Sequence, residues 1–431
     1  MSSTRRIAAF VFSALAFGLT FLTNAQGEEY WVYFGTSTDK PTEEMKESGI
    51  PQSEGIYVGR FDTETGRTRD VSLALEAKSS GYLATTPTKG DRLWFVGTLD
   101  GSDGWANAYS CAIDPETGRL SVLNGMSTTG QGVCHTSVRD DARFLTAANY
   151  SSGDFTVFSL DSNGALEKVT AKYEGKGSGP NKRRQSQPYG HSSYFVETDG
   201  VQRVFMSDLG SDRVYIARLD EETGALTPDP VVDHLAPPAG SGPRHLAFGV
   251  DAKGRQLVFS IDELSSTVSA FRVNFNAKDG ETPAKRLGTW TTIEEKYREK
   301  LTDEESLVDG KEYLYGNKTA AIEVVELPNG KHVLYASNRG QNSVVVFDAD
   351  QIFAGKEGAD LPLLQRISTN GRFPRFFMVD PSRNWLLVSN KKSGTVYAYK
   401  IDQETGLLTL SADEPTKLAW VIGGAFAPVT K

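Results

Sequence analysis

The 431-residue chain is 39 % hydrophobic and 23 % charged, with a formal charge of −9, an ordinary composition for a soluble globular protein. So acidic a chain repels phosphate backbones and anionic membranes. The longest basic run, Lys182-Arg183-Arg184, is too short to reverse that, so nucleic acid is excluded as an expected partner. Cys111 and Cys134 both lie in apolar, strand-like stretches; they form no metal-binding signature, and either a disulfide or two buried thiols fits them.

In chain order, the first element is a targeting segment. Arg5 and Arg6 precede the apolar residues 7–22 and then small residues around Ala25 and Gly27. Charged head, apolar stretch and small-residue exit are the order of a cleavable export signal, although an uncleaved anchor has a similar start. Residues 1–27 are expected to be removed and residues 28–431 to form one domain in the periplasm or outside the cell. No other stretch is apolar enough to cross a bilayer.

From Tyr30 onward the chain repeats. An apolar run, a polar turn and a second apolar run end in an acidic or amide mark at Asp62, Asp114, Asp161, Asp220, Asn274, Asp348 and Asp402. The marks are 47 to 59 residues apart, with one interval of 74. Four are followed by Glu-Thr-Gly, ending at Gly66, Gly118, Gly224 and Gly406, where glycine supplies the positive φ of a tight strand connection. β-branched and aromatic residues fill the runs, and helical periodicity is nearly absent. Seven units of about fifty residues, each with room for four strands, predict an all-β, seven-bladed propeller of four-stranded antiparallel blades. The first unit lacks an inner strand and residues 419–427 form a spare one, so the carboxy-terminal strand is expected to pair beside residues 30–36 and close the ring. Two insertions interrupt the pattern. Residues 39–54 are polar. Residues 276–318, with a short charged helix expected over 293–307, are the better candidate for a pocket wall.

In such a blade the start of the innermost strand and the end of the second share one face, so side chains at those two positions converge on one channel mouth. The first position supplies His191, Arg244 and Arg375, with the pair Cys134-His135 in the third unit. The second supplies Tyr150, Leu209, Glu263, Arg339 and Lys391. A purely structural slot should repeat one residue type, whereas these vary on a constant apolar frame. His191, Arg244, Glu263 and Arg339 are the candidate catalytic set, with Arg375, Lys391, Tyr150 and His135 as candidate substrate contacts. Each also has a plain structural reading, as a strand histidine, a blade-to-blade ion pair or a solvated turn residue. No zinc-type spacing, phosphate loop or nucleophile elbow is present, so neither metal nor cofactor is expected.

The segments GSGPNKRRQSQPYGHSSYF, MSDLGSDRV, GSGPRHLAF, DELSSTVSAF, ASNRGQNSVVVF and FPRFFMVDP resemble, in order and in blade, the lactonase-type seven-bladed propellers, which include propeller 6-phosphogluconolactonases and carboxy-muconate lactonising enzymes. The resemblance runs from about Tyr33 to the carboxy terminus. It implies an active site at the channel mouth built from His191, Arg244, Glu263 and Arg339. It also implies a small-molecule anionic lactone as substrate, and a monomer is expected. The pattern departs from the family's at Tyr189, Asp262, Ala321, Phe376 and Lys391, which leaves the substrate open. Ring opening needs a water made nucleophilic, by Glu263 or His191, and cations for the developing oxyanion, Arg244 and Arg339. A lactonising isomerase and a non-catalytic exported binder are the competing expectations.

Overall fold

The computed structural model describes residues 28–101, 106–298 and 317–429. The expected export signal therefore lies outside the described residues. So do residues 299–316 of the second insertion; of the helix expected over 293–307, the described part is the turn Glu295–Arg298. Seven antiparallel sheets form the ring, each with four strands, in sequential order from the channel outward except that the last strand of the chain is innermost in blade 1; in blades 4 and 7 a further two-residue strand pairs with the third strand, in line with the fourth. The inner strands, from blade 1 to blade 7, are Val421–Pro428, Ser79–Ala84, Val133–Val138, Gly190–Thr198, Pro243–Val250, Lys318–Glu326 and Pro374–Val379.

Ring closure follows the sequence expectation. Val421–Pro428 runs antiparallel to Glu29–Thr36, from Tyr30 opposite Pro428 to Thr36 opposite Val421. Carboxy- and amino-terminal strands thus share blade 1, and Glu29–Thr36 is paired on both edges.

The repeat marks also fasten neighbouring blades. Asp62, Asp114, Asp220 and Asp402 each accept, through Oδ1, the backbone N–H groups two and three residues on. Each folds its turn into a compact knob. The glycine at the end of the knob has φ of 69 to 74° and lies flat on the preceding blade. A Cβ on Gly118 would sit 2.8 Å from the Trp31 ring, and one on Gly66 2.5 Å from that of Trp385. Tyr33 Oη donates to the Gly118 carbonyl at 2.8 Å and Tyr335 Oη to that of Gly406 at 2.8 Å. Gly118→Val combines left-handed backbone strain with a clash against an unyielding ring, and it should cost about 2–4 kcal/mol. Denaturant melts read this directly; an unchanged midpoint would show that the turn does not fasten the blades.

The first insertion has more structure than its sequence suggested. Thr42 caps a helix, Glu43–Glu47, and Met45 and Ile50 pack on Ala419. Thr42 Oγ1 donates to the Lys392 carbonyl at 3.1 Å, and Arg372 Nε pairs with Glu44 at 2.6 Å. The insertion therefore spans the seam where blades 1 and 7 meet. Both cysteines are free thiols.

Candidate active site at the channel mouth

The inner strands share one irregularity. Pairing with the second strand skips Ile422, Gly81-Tyr82, Cys134, His191, Arg244, Ala320-Ala321 and Arg375 in blades 1 to 7. A bulge re-aims the side chain of the extra residue. In six of the seven blades that residue lines one cavity of about 1060 Å³ at the mouth. The second-strand position is equally regular. Tyr150, Glu263 and Lys391 each donate a backbone N–H to the carbonyl of the residue just before, or at the approach to, the same blade's inner strand. Repeat register and bulge together place His191, Arg244, Glu263, Arg339, Arg375, Lys391 and Tyr150 around this cavity.

His135 is placed differently. Within the Cys134-His135 pair it is Cys134 that occupies the bulge and meets the cavity. His135 lies beneath, 1 % exposed, against the rings of Tyr82, Tyr194 and His245. The expected contact between His135 and substrate is therefore not available at this position.

Glu263 is the hub. Its Oε2 pairs with Arg339 Nη2 at 2.8 Å and Arg244 Nε at 3.1 Å, and its Oε1 with Arg184 Nη2 at 2.8 Å. Arg184 also donates to Tyr150 Oη at 3.1 Å. Arg244 Nη1 donates to the Ala320 carbonyl at 2.6 Å and Arg339 Nη2 to that of Thr319 at 2.5 Å. Burial alone would raise the Glu263 carboxyl, but Arg339, Arg184 and Arg244 outweigh it and hold the group well below the usual carboxylate range. His191 Nε2 stands 3.9 Å from Glu263 Oε2, too far for a hydrogen bond. Burial and the Arg244 charge keep its imidazole uncharged, well below the ordinary histidine value. With both oxygens engaged by guanidinium groups, Glu263 is a poor proton acceptor. His191 is an uncharged imidazole on the same cavity wall.

Nine of the lining residues are Lys or Arg and two, Asp39 and Glu263, are acidic. This on a chain of net charge −9 makes the mouth a local sink for anions. Arg375 has no hydrogen bond or ion pair among the described residues. The Lys391 ammonium lies over the Trp420 ring, 4.9 Å from its centroid. Neither of these two cations has a carboxylate partner within ion-pair distance among the described residues. Burial and neighbouring Arg375 pull the Lys391 ammonium down to about 8, with Asp39 opposing. Lys391 should therefore lose its charge as pH rises through about 8, and affinity for an acidic ligand should fall about tenfold over the same range. For stability the sign is opposite, because between about 8 and the ordinary lysine value the unfolded chain holds a proton that the folded chain has released. Calorimetric titration of a sugar acid at pH 6.5 and 9.5, with wild type and Lys391→Met, isolates the effect; equal pH dependence in both would rule Lys391 out.

Sequence reasoning missed Arg184, which it noted only as part of a basic run. It also missed the first insertion as a wall, where Asp39 and Thr42 line the cavity. The five departures are now placed. Asp262 faces away from the cavity and accepts hydroxyl hydrogen bonds from Ser260, Thr267 and Ser269, a structural slot. Tyr189 stacks near Tyr150, with centroids 4.9 Å apart, and Phe376 packs edge-on against Tyr82. At Ala321 the strand offers backbone instead of an acid, and the adjacent Ala320 carbonyl takes up Arg244. Lys391 contributes one of the cations described above.

The ring of seven blades and this mouth define the class. A family profile described as "Lactonase, 7-bladed beta-propeller" matches residues 31–419, and the chain belongs to that family. It is 31 % identical over 358 residues to a 6-phosphogluconolactonase of Bacillus subtilis (strain 168), covering 83 % of this chain and 90 % of that one. Among solved structures it is similar to a protein from Lactobacillus plantarum, with 28 % identity, TM-score 0.73 and coverage of 92 % and 99 %. It is also similar to the periplasmic gluconolactonase of Pseudomonas aeruginosa, with 26 % identity, TM-score 0.71 and coverage of 93 % and 100 %.

Proposed function

We propose that the chain is an exported lactone hydrolase, acting at the channel mouth on a sugar-acid lactone or another lactone carrying an acidic group. The observation that carries this reading is a neutral buried histidine set beside an anchored cluster of arginines, with two further cations left unpaired. Family membership and the names of the relatives point the same way.

In the proposed reaction, water attacks the lactone carbonyl and His191 Nε2 takes its proton. Negative charge growing on the carbonyl oxygen lies against Arg244 and Arg339, whose guanidinium groups are fixed before substrate arrives and so need no reorganisation. The nearby Glu263 carboxylate favours the imidazolium that forms. The acyl C–O bond of the ring then breaks, and the leaving alkoxide takes the proton back from His191. Arg375 and Lys391 hold the acidic group, for which an arginine fork and a point charge are both suited. Base-titrated assay of sugar and aromatic lactones tests the reading. Acid release no faster than in buffer for every lactone would leave a binding protein in its place.

Export rests on the order of residues 1–27 and on the likeness to a periplasmic gluconolactonase. Mass spectrometry of protein from the native host should find the mature chain starting just after Ala25 or Gly27; an intact Met1 on a cytoplasmic product would refute it.

A further inference from the structure

Arg244 and His245 are consecutive residues on one strand, where side chains ordinarily point to opposite faces. The bulge between Pro243 and His245 breaks that alternation, and both side chains turn toward the channel. Arg244 Nη1 lies 3.1 Å from His245 Nε2. A guanidinium is a donor with no acceptor capacity, so this contact requires a lone pair on His245 Nε2 and hence a proton on Nδ1. The His245 ring is 4 % exposed and is fixed by rings on three sides, with centroids at 5.2 Å for His135, 5.4 Å for His191 and 5.5 Å for Tyr82. Burial and the facing Arg244 disfavour its charged form.

We infer that His245 is a positioning residue. As a neutral Nδ1–H tautomer it accepts from Arg244 and, together with Glu263 and the Ala320 carbonyl, fixes the guanidinium fork in three directions. Without that acceptor, Nη1 keeps only the Ala320 carbonyl and the fork can rotate about its bond to Glu263. The inference rests on the proposed role of Arg244 for its kinetic consequence, but not for the tautomer.

The test therefore has two arms. Ring ¹⁵N spectra of histidine-labelled wild type, with His245 assigned by the signal lost in His245→Gln, should show protonated Nδ1 and bare Nε2 from pH 5 to 8. A bare Nδ1, or an imidazolium across that range, would overturn the inference whatever the enzyme does. In the kinetic arm, His245→Leu should lower kcat about tenfold with KM little changed, as expected for loss of one hydrogen bond to a charged group. His245→Gln, whose Oε1 can take the place of Nε2, should recover most of it. Equal loss in both variants would mean that the ring acts through packing alone and would overturn the inference. Wild-type protein that hydrolyses no lactone would remove the proposed function and leave the tautomer to decide the geometry.

Discussion

Replacing Glu263 with alanine is expected both to cut turnover by orders of magnitude and to destabilise the fold. The carboxylate pairs with Arg184, Arg244 and Arg339 at 2.8 to 3.1 Å. Two of those arginines, Arg244 and Arg339, are themselves buried at 2 % and 3 % exposure. Removing one member of a buried ionic cluster strands the others without compensation, at a cost of about 3–5 kcal/mol. Here the stranded groups also repel one another, since Arg339 and Arg375 already depress the Arg244 guanidinium, after burial, to about 9. Turnover should fall by about 10²–10³-fold as the arginines leave their positions. Arg375→Ala is the matched control. Its guanidinium has no ion pair among the described residues, so the melting temperature should hold while affinity for an acidic substrate drops. Thermal melts and kinetics on both variants decide the matter; a Glu263→Ala protein as stable as wild type would show that the arginines are not held by this carboxylate.

Stopping the chain after Trp420 should remove the folded state. That deletion takes away the whole inner strand of blade 1, including Val421 and Ala427, each 1 % exposed. It breaks the pairing of Glu29–Thr36 from Tyr30 to Thr36 and uncovers apolar surface belonging to two of the core clusters. Ladder hydrogen bonds worth about 1 kcal/mol each, added to the lost burial, exceed about 5 kcal/mol, the lower end of a domain's total stability. The freed edge of Glu29–Thr36 would also invite sheet-to-sheet aggregation. Size-exclusion chromatography and a denaturant melt read both effects; a soluble monomer melting like the full chain would show that the closing strand is dispensable.

The ring was legible because every blade repeats an apolar run ending in an acidic or amide residue, followed in four of them by a Glu-Thr-Gly turn, and local devices survive in a linear pattern. The mouth was legible for a similar reason. The bulge recurs at one repeat position, so aligning repeats brings His191, Arg244 and Arg375 into one slot and Glu263 into the next. What the sequence hid was whatever the repeat does not index. Arg184 belongs to the loop before the blade 4 inner strand. That loop is held at the mouth in part by Gln185, which is fastened to Asp212 and to the Leu209 carbonyl, at 2.7 and 2.9 Å. Asp39 reaches the cavity through an insertion anchored on another blade. His135 was misplaced by a single residue, because the bulge selects Cys134 and pairing register decides which of two neighbours faces the channel.

The most direct test of the central claim is the rate of acid release from a matched pair of sugar lactones, one neutral and one bearing a free acidic group, with wild type and Arg375→Ala. A lactonase with a cationic mouth should accelerate both, favour the lactone bearing the free acidic group, and lose that preference on replacement of Arg375 while still hydrolysing the neutral lactone. Release no faster than in buffer, or a preference untouched by the substitution, would contradict it.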